Sequence, residues 1–192
     1  MVPPTKAENV KAIKQLQTGK APGPDGIPPE IFKTGGEALT EQLLGMFQLF
    51  WERGGVPKDL KDANIVHLYK NTGEKATRDN HRGRSLISIA GKLLARILLN
   101  RITKHLLDNV VSESQCGFRQ NRGTVDMIFA VRQLHEKCLE QRQDPYLLFM
   151  DMTKAFDTVS RPGLWSILSK LGCPPKFINM VRSLHDGMMA RS

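Results

Sequence analysis

A chain of 192 residues with 40% hydrophobic side chains is long enough to bury a core without disulfides or structural metal. Lysine and arginine (28) outnumber aspartate and glutamate (19), and the net charge of +9 points to a polyanionic partner ahead of an acidic substrate or a membrane surface. Cys116, Cys138 and Cys173 are odd in number and lack metal-ligand spacing, no run of eighteen apolar residues occurs, and the opening residues lack a secretory pattern, so the expectation is an intracellular chain, cytoplasmic or nuclear, with no disulfide framework, zinc module or membrane span.

Residues 6 to 17 read as a helix, with Thr5 and Glu8 spaced as a capping box and Ala12, Ile13 and Leu16 on one face. The segment Lys20-Ala21-Pro22-Gly23-Pro24-Asp25-Gly26 cannot continue it and must turn. A second helix is expected from about Glu37 to Arg53, stopped by Gly54-Gly55 with Pro57 beyond. Ala63 to Tyr69 and Arg84 to Ile89 are short apolar runs separated by a polar, basic stretch, which reads as a hairpin with a long tip. A helix from Ala90 to Leu107 follows, with Leu94, Ile97 and Leu98 on one side and Lys92 and Arg96 on another; Arg101 falls inside the apolar arc, against the pattern. Thr124 to Gln141 is a further helix whose stripe of Met127, Ile128, Val131, Leu134 and Cys138 is expected in the core. Tyr146 to Asp151 reads as a strand buried on both faces and ending in a carboxylate. Two helices close the chain, Arg161 to Leu171 and Pro175 to Asp186, each followed by glycine.

The charge is uneven. Residues 70 to 122 hold eleven basic and four acidic side chains, and from Arg82 to Lys104 there are six basic residues and no acid. Such a block is either a solvated face or a nucleic-acid groove, and composition alone does not choose.

The stretch Leu147 to Val159, LLFMDMTKAFDTV, carries the strongest chemical signal. A carboxylate at a strand's end caps the next turn or meets a cation, so Asp151 is a metal-ligand candidate beside a capping alternative. Asp157 does not complete a site with it, because six residues span about 20 Å along a strand and point about 240° apart on a helix. A two-metal centre needs carboxylates converging on ions about 4 Å apart.

Four blocks in order resemble the reverse transcriptase of LINE-type, non-LTR retrotransposons: KAPGPDGIPPEIFK at Lys20 to Lys33; Ala63 to Lys70 with DNHRGRSLISIAGKLLARILLNRI at Asp79 to Ile102; Gln115 to Phe129; and Asp151 to Val159 around Ala155-Phe156-Asp157. The resemblance implies an α/β (α+β), helix-rich fold: right-hand polymerase fingers with a β-hairpin over residues 1–145, then the start of a palm, with its first catalytic motif, over 146–192. It implies an RNA-directed DNA polymerase that joins dNTPs to a primer 3′-hydroxyl by two-metal chemistry, with RNA template, DNA primer and dNTP as partners and two Mg²⁺ ions as cofactors.

In that reading Asp151 is the first palm aspartate and binds the ions with the Met152 backbone carbonyl. Phe156 is the steric gate against a 2′-hydroxyl, its alternative being an ordinary core ring. Lys70 and Arg82 hold the incoming triphosphate, a point charge and a planar clamp. Lys20, Lys92, Arg96, Arg119 and Arg122 are candidates for template backbone contacts, or for a solvated face.

Two departures stand out. Arg84 occupies a position where the family pattern, RGISL or RPISL, is apolar, so either the strand is locally exposed or the copy is degenerate. The family's Gly-Gln motif and paired aspartates do not appear before Ser192, and the acids after Asp151 are Asp157 and Asp186. The expectation is therefore a fragment inactive by itself, with the remaining palm and thumb belonging to a longer chain. The alternatives are a non-enzymatic RNA- or DNA-binding remnant of a degenerate element, and a partner-dependent remnant that exposes the strand at Tyr146.

Overall fold

The computed structural model describes residues 2–109 and 112–191. It divides into two compact units, Met1–Lys104 with Trp165–Ser192, and His105–Leu164. The fold is mixed and helix-rich, with a small three-stranded sheet.

In the first unit the predicted capping box closes. The Thr5 hydroxyl accepts the Glu8 N–H at 3.3 Å, and the Glu8 carboxylate accepts the Thr5 N–H at 2.9 Å. Helix α1 (Lys6–Lys14) ends three residues before the expected stop, as the chain turns toward Gly19 at φ +67°. A short helix the periodicity did not reveal, α2 (Pro29–Thr34), begins on a proline whose missing N–H costs nothing in a first turn. Helix α3 (Gly36–Arg53) stops as expected at left-handed Gly54, whose N–H reaches the Phe50 carbonyl at 2.9 Å, and buries Leu43, Phe47, Phe50 and Trp51. One further turn, α4 (Lys58–Lys61), leads into the sheet.

Strand β1 (Ala63–Tyr69) matches its expected limits and pairs antiparallel with β2 (His81–Ile87), Ala63 opposite Ile87 and Tyr69 opposite His81. The second strand starts at His81 rather than Arg84. Ladder hydrogen bonds need no apolar side chains, and Arg82 and Arg84 stay exposed while pairing through their backbones. The tip is basic, closed by a 3₁₀ turn at Arg78–Asn80 and by the Tyr69 hydroxyl donating to the Gly73 carbonyl.

Gly23 explains the proline- and glycine-rich turn. A Cβ there would lie 2.5 Å from the backbone of Ile87 and Ser88, so only glycine lets the turn seat where β2 runs into helix α5 (Ile89–Asn109). Ser88, itself buried, accepts the Gly91 N–H at 3.0 Å and caps that helix. Leu94, Ile97 and Leu98 of α5 are buried as expected, and Leu93 is buried beside them. Helix α8 (Pro175–His185) adds Phe177 and Met180 to this core, and Lys61 donates to its terminal carbonyls, Ser183 at 3.0 Å and Asp186 at 2.7 Å. The two-residue strand β3 (Ala190–Arg191) then pairs parallel with Ala63 and Asn64, giving the order β2-β1-β3.

The second unit holds helix α6 (Thr124–Glu140), and the chain leaves it through α7 (Arg161–Lys170). Two expectations fail here. The α6 stripe is not core: Met127, Ile128 and Leu134 are exposed, and no residue of the helix is buried. Tyr146 to Asp151 forms no strand and is exposed throughout, Tyr146 at 95%. An apolar run becomes a strand only when neighbours accept its backbone hydrogen bonds and cover its side chains, and no described strand pairs with it. Among the described residues no helix is long and apolar enough to cross a membrane.

Candidate nucleic-acid interface

Period-two alternation places Val66 and Leu68 of β1 on one face of the hairpin with Arg84 and Arg82, their partners across the ladder. Lys70 follows β1 on the same alternation and extends the ladder, its N–H donating to the Asn80 carbonyl at 2.8 Å. Its ammonium donates to the Asp79 main-chain carbonyl at 2.7 Å. Lys70, Arg82 and Arg84, with Leu68 and Tyr69, line one cleft of about 270 Å³. The structure therefore brings together Lys70 and Arg82, twelve residues apart along the chain. It also adds Arg84, whose exposure removes the burial cost that made it anomalous. A period-two reading that included charged positions reveals it, since Arg82 and Arg84 are two apart.

A second cleft, of about 440 Å³, gathers Lys20, Lys92 and Arg96 around an apolar floor that includes Leu16, Ile87 and Leu99. Lys92 and Arg96 lie one turn apart on α5, and Lys20 comes from the loop after α1. Partial burial pushes the Lys92 ammonium below its ordinary pKa, against the pull of nearby Asp25. Asp25 itself is fixed in the turn, accepting the Ile27 N–H at 3.2 Å. Three cations over an apolar floor suit a chain that carries phosphates on one side and flat bases on the other. Gln15 and Gln17, which sequence reasoning passed over, supply amide groups to the same wall.

The remaining candidates belong to the second unit. Arg119 and Arg122 both hold Glu113, at 2.8 Å each, and Arg119 also donates to the Ser112 carbonyl at 3.1 Å. The two guanidiniums draw the Glu113 carboxyl below its usual range. Phe156 is exposed and meets Phe118 edge to face, ring centroids 5.8 Å apart, so it is not a core ring. Asp151 and Met152 are exposed on the non-strand segment. Among the described residues no three His, Cys, Asp or Glu side chains gather at metal-binding distance, so the donors present do not make a two-ion centre around Asp151.

The family model for reverse transcriptase (RNA-dependent DNA polymerase) matches residues 70–190. The chain is 28% identical over 186 residues to the RNA-directed DNA polymerase from mobile element jockey of Drosophila funebris, covering 96% of this chain and 20% of that protein. It is 27% identical over 180 residues to the probable RNA-directed DNA polymerase from transposon BS of Drosophila melanogaster, covering 93% and 20%. It is 29% identical over 163 residues to a Pol polyprotein from a type-1 retrotransposable element of Bradysia coprophila, covering 83% and 16%. The chain thus spans about a fifth of the length of the relatives it matches.

Proposed function

Because the chain belongs to the reverse transcriptase (RNA-dependent DNA polymerase) family, on the branch of non-LTR retrotransposons, we propose that it is the nucleotide- and template-gripping segment of an RNA-directed DNA polymerase. Residues 1–145 serve as fingers and 146–192 begin the palm, a functional division that cuts across the two compact units. The observation that carries the reading is the hairpin cleft, where Lys70 and Arg82 present an ammonium and a guanidinium to one small volume. That pairing offsets part of the charge of a dNTP triphosphate and orients it through the planar clamp. Lys20, Lys92 and Arg96 follow the backbone of the RNA template or its hybrid with the DNA primer. Arg119 and Arg122 do the same from the second unit, giving up part of their hold on Glu113.

Asp151, with the Met152 carbonyl, supplies part of the ligand set for divalent ions, Mg²⁺ being the hard cation that suits oxygen donors and phosphates. The ions would activate the primer hydroxyl and neutralise pyrophosphate. The described residues do not complete that set, and we propose that the isolated chain binds nucleotide and nucleic acid without polymerising. Phe156 lies five residues after Asp151 as a flat, exposed ring and acts as the gate against a 2′-hydroxyl.

Equilibrium titration of the chain with a dNTP tests the reading. Binding is expected, and the double variant Lys70→Ala, Arg82→Ala is expected to weaken it by about tenfold or more. Equal affinity in wild type and double variant overturns it. A non-enzymatic nucleic-acid-binding remnant is the second reading, favoured by the Lys20, Lys92 and Arg96 cleft; it predicts RNA binding with no dNTP binding at all.

A further inference from the structure

We infer that Arg84 turns the hairpin's two-cation clamp into a three-cation site that selects a triphosphate chain over a diphosphate. The inference rests on the reading of Lys70 and Arg82 as phosphate ligands and extends it to a residue where the family pattern is apolar.

The three cations stand in line. Lys70 is held at the level of Asn80 by its backbone hydrogen bond, Arg82 lies two residues further along β2, and Arg84 two further again. Alternation puts all three on one face, at steps of about 7 Å along the strand. All three side chains are exposed and line the same cleft, and no acidic side chain among the described residues lines it with them. Like charges in a row repel, and a linear polyanion relieves that repulsion along its whole length. That step is longer than the spacing of adjacent phosphates in a polyphosphate, so the long, flexible side chains of Lys70, Arg82 and Arg84 lean together over their shared cleft, each taking a different phosphate. A diphosphate satisfies two of them; a triphosphate reaches the third. Arg84 also offers a planar fork, so it fixes the end of the chain as well as attracting it. Its backbone pairs with Val66, and its side chain is exposed.

The experiment titrates the chain calorimetrically with inorganic tripolyphosphate, pyrophosphate and a short single-stranded RNA, comparing wild type with Arg84→Ile, Lys70→Ala and Arg82→Ala. Arg84→Ile is expected to weaken tripolyphosphate about tenfold, with much smaller effects on pyrophosphate and RNA. Unchanged tripolyphosphate binding in Arg84→Ile, with losses in Lys70→Ala and Arg82→Ala, overturns the inference and leaves the clamp standing. Equal losses for both polyphosphates overturn the selectivity. A loss confined to RNA assigns Arg84 to backbone contact and also overturns it. Unchanged binding in all three variants, or none in wild type, ends both the inference and the reading beneath it. Arg84→Lys keeps the charge without the fork and is expected to fall between, which holds the comparison if isoleucine disturbs the strand.

Discussion

Arg101 and Glu8 form a two-point ion pair across 93 positions of sequence: Arg101 Nε lies 2.6 Å from one Glu8 carboxylate oxygen and Nη2 lies 2.7 Å from the other. The same guanidinium donates to the main-chain carbonyls of Val2 at 2.8 Å and Pro3 at 3.0 Å, and stands 5.2 Å from the Trp51 ring centroid. One side chain therefore ties the N-terminal segment, α1, α3 and α5 together. Replacing it with alanine leaves Glu8 and two carbonyls short of donors, and Arg101→Ala is expected to cost about 2–3 kcal/mol in urea unfolding followed by tryptophan fluorescence.

The same pair gives stability a pH dependence. Hydrogen bonding from Arg101 leads the causes that hold the Glu8 carboxyl down from 4.5 to about 2, with the Thr5 N–H and hydroxyl adding to it. A carboxyl depressed in the folded state stabilises fully above its ordinary value, and the contribution disappears as pH falls from about 4.5 toward 2. Melting temperature should drop through that window in wild type, and Glu8→Gln should flatten the drop.

Gly23 is a packing position. A Cβ would press on main-chain atoms of Ile87 and Ser88 at 2.5 Å, and backbone at a strand-to-helix junction cannot step aside as a flexible side chain can. Gly23→Ala is expected to destabilise by about 1–3 kcal/mol in chemical denaturation, and exchange of the β2 amides should quicken with it.

Binding of single-stranded RNA should weaken steeply with salt. If Lys20, Lys92 and Arg96 each neutralise one phosphate, the triple alanine variant reduces the slope of log K against log salt by about 2. Fluorescence anisotropy across several salt concentrations measures it, and an unchanged slope removes these three residues from the interface.

Asp151 is exposed, and its replacement should leave the fold alone. Asp151→Ala is expected to change unfolding free energy by less than about 0.5 kcal/mol. A loss near 1 kcal/mol, typical of a deleted cap, identifies it as a structural aspartate instead.

The hairpin, the capping box and the Gly54 stop were legible because each depends on residues adjacent in sequence. Short helices α2 and α4 were not, since four to six residues carry too little periodicity to register. Arg101 looked like an error in an apolar arc because its partners, Glu8, Val2 and Pro3, lie at the other end of the unit. Tyr146 to Asp151 failed for the opposite reason: its composition suits a buried strand, but composition supplies neither the neighbouring strand nor the cover. At the site, spacing along one hairpin brought Lys70 to Arg82, and the family pattern drew attention to both. Arg84 was visible only as a departure from that pattern until the pairing register gave it a place beside them.

Strand β3 returns to β1 from residue 190, and the first unit is consequently assembled from two stretches of chain separated by the sixty residues of the second. Its sheet reaches three strands only after the intervening segment has been made. Because loop closure costs rise with the logarithm of length, doubling that segment would add only about 0.6 kcal/mol to the closure. The segment carrying Asp151 and Phe156 can thus change length at small entropic cost to closing the sheet, while synthesis of the chain past residue 190 sets the moment at which the sheet gains its third strand.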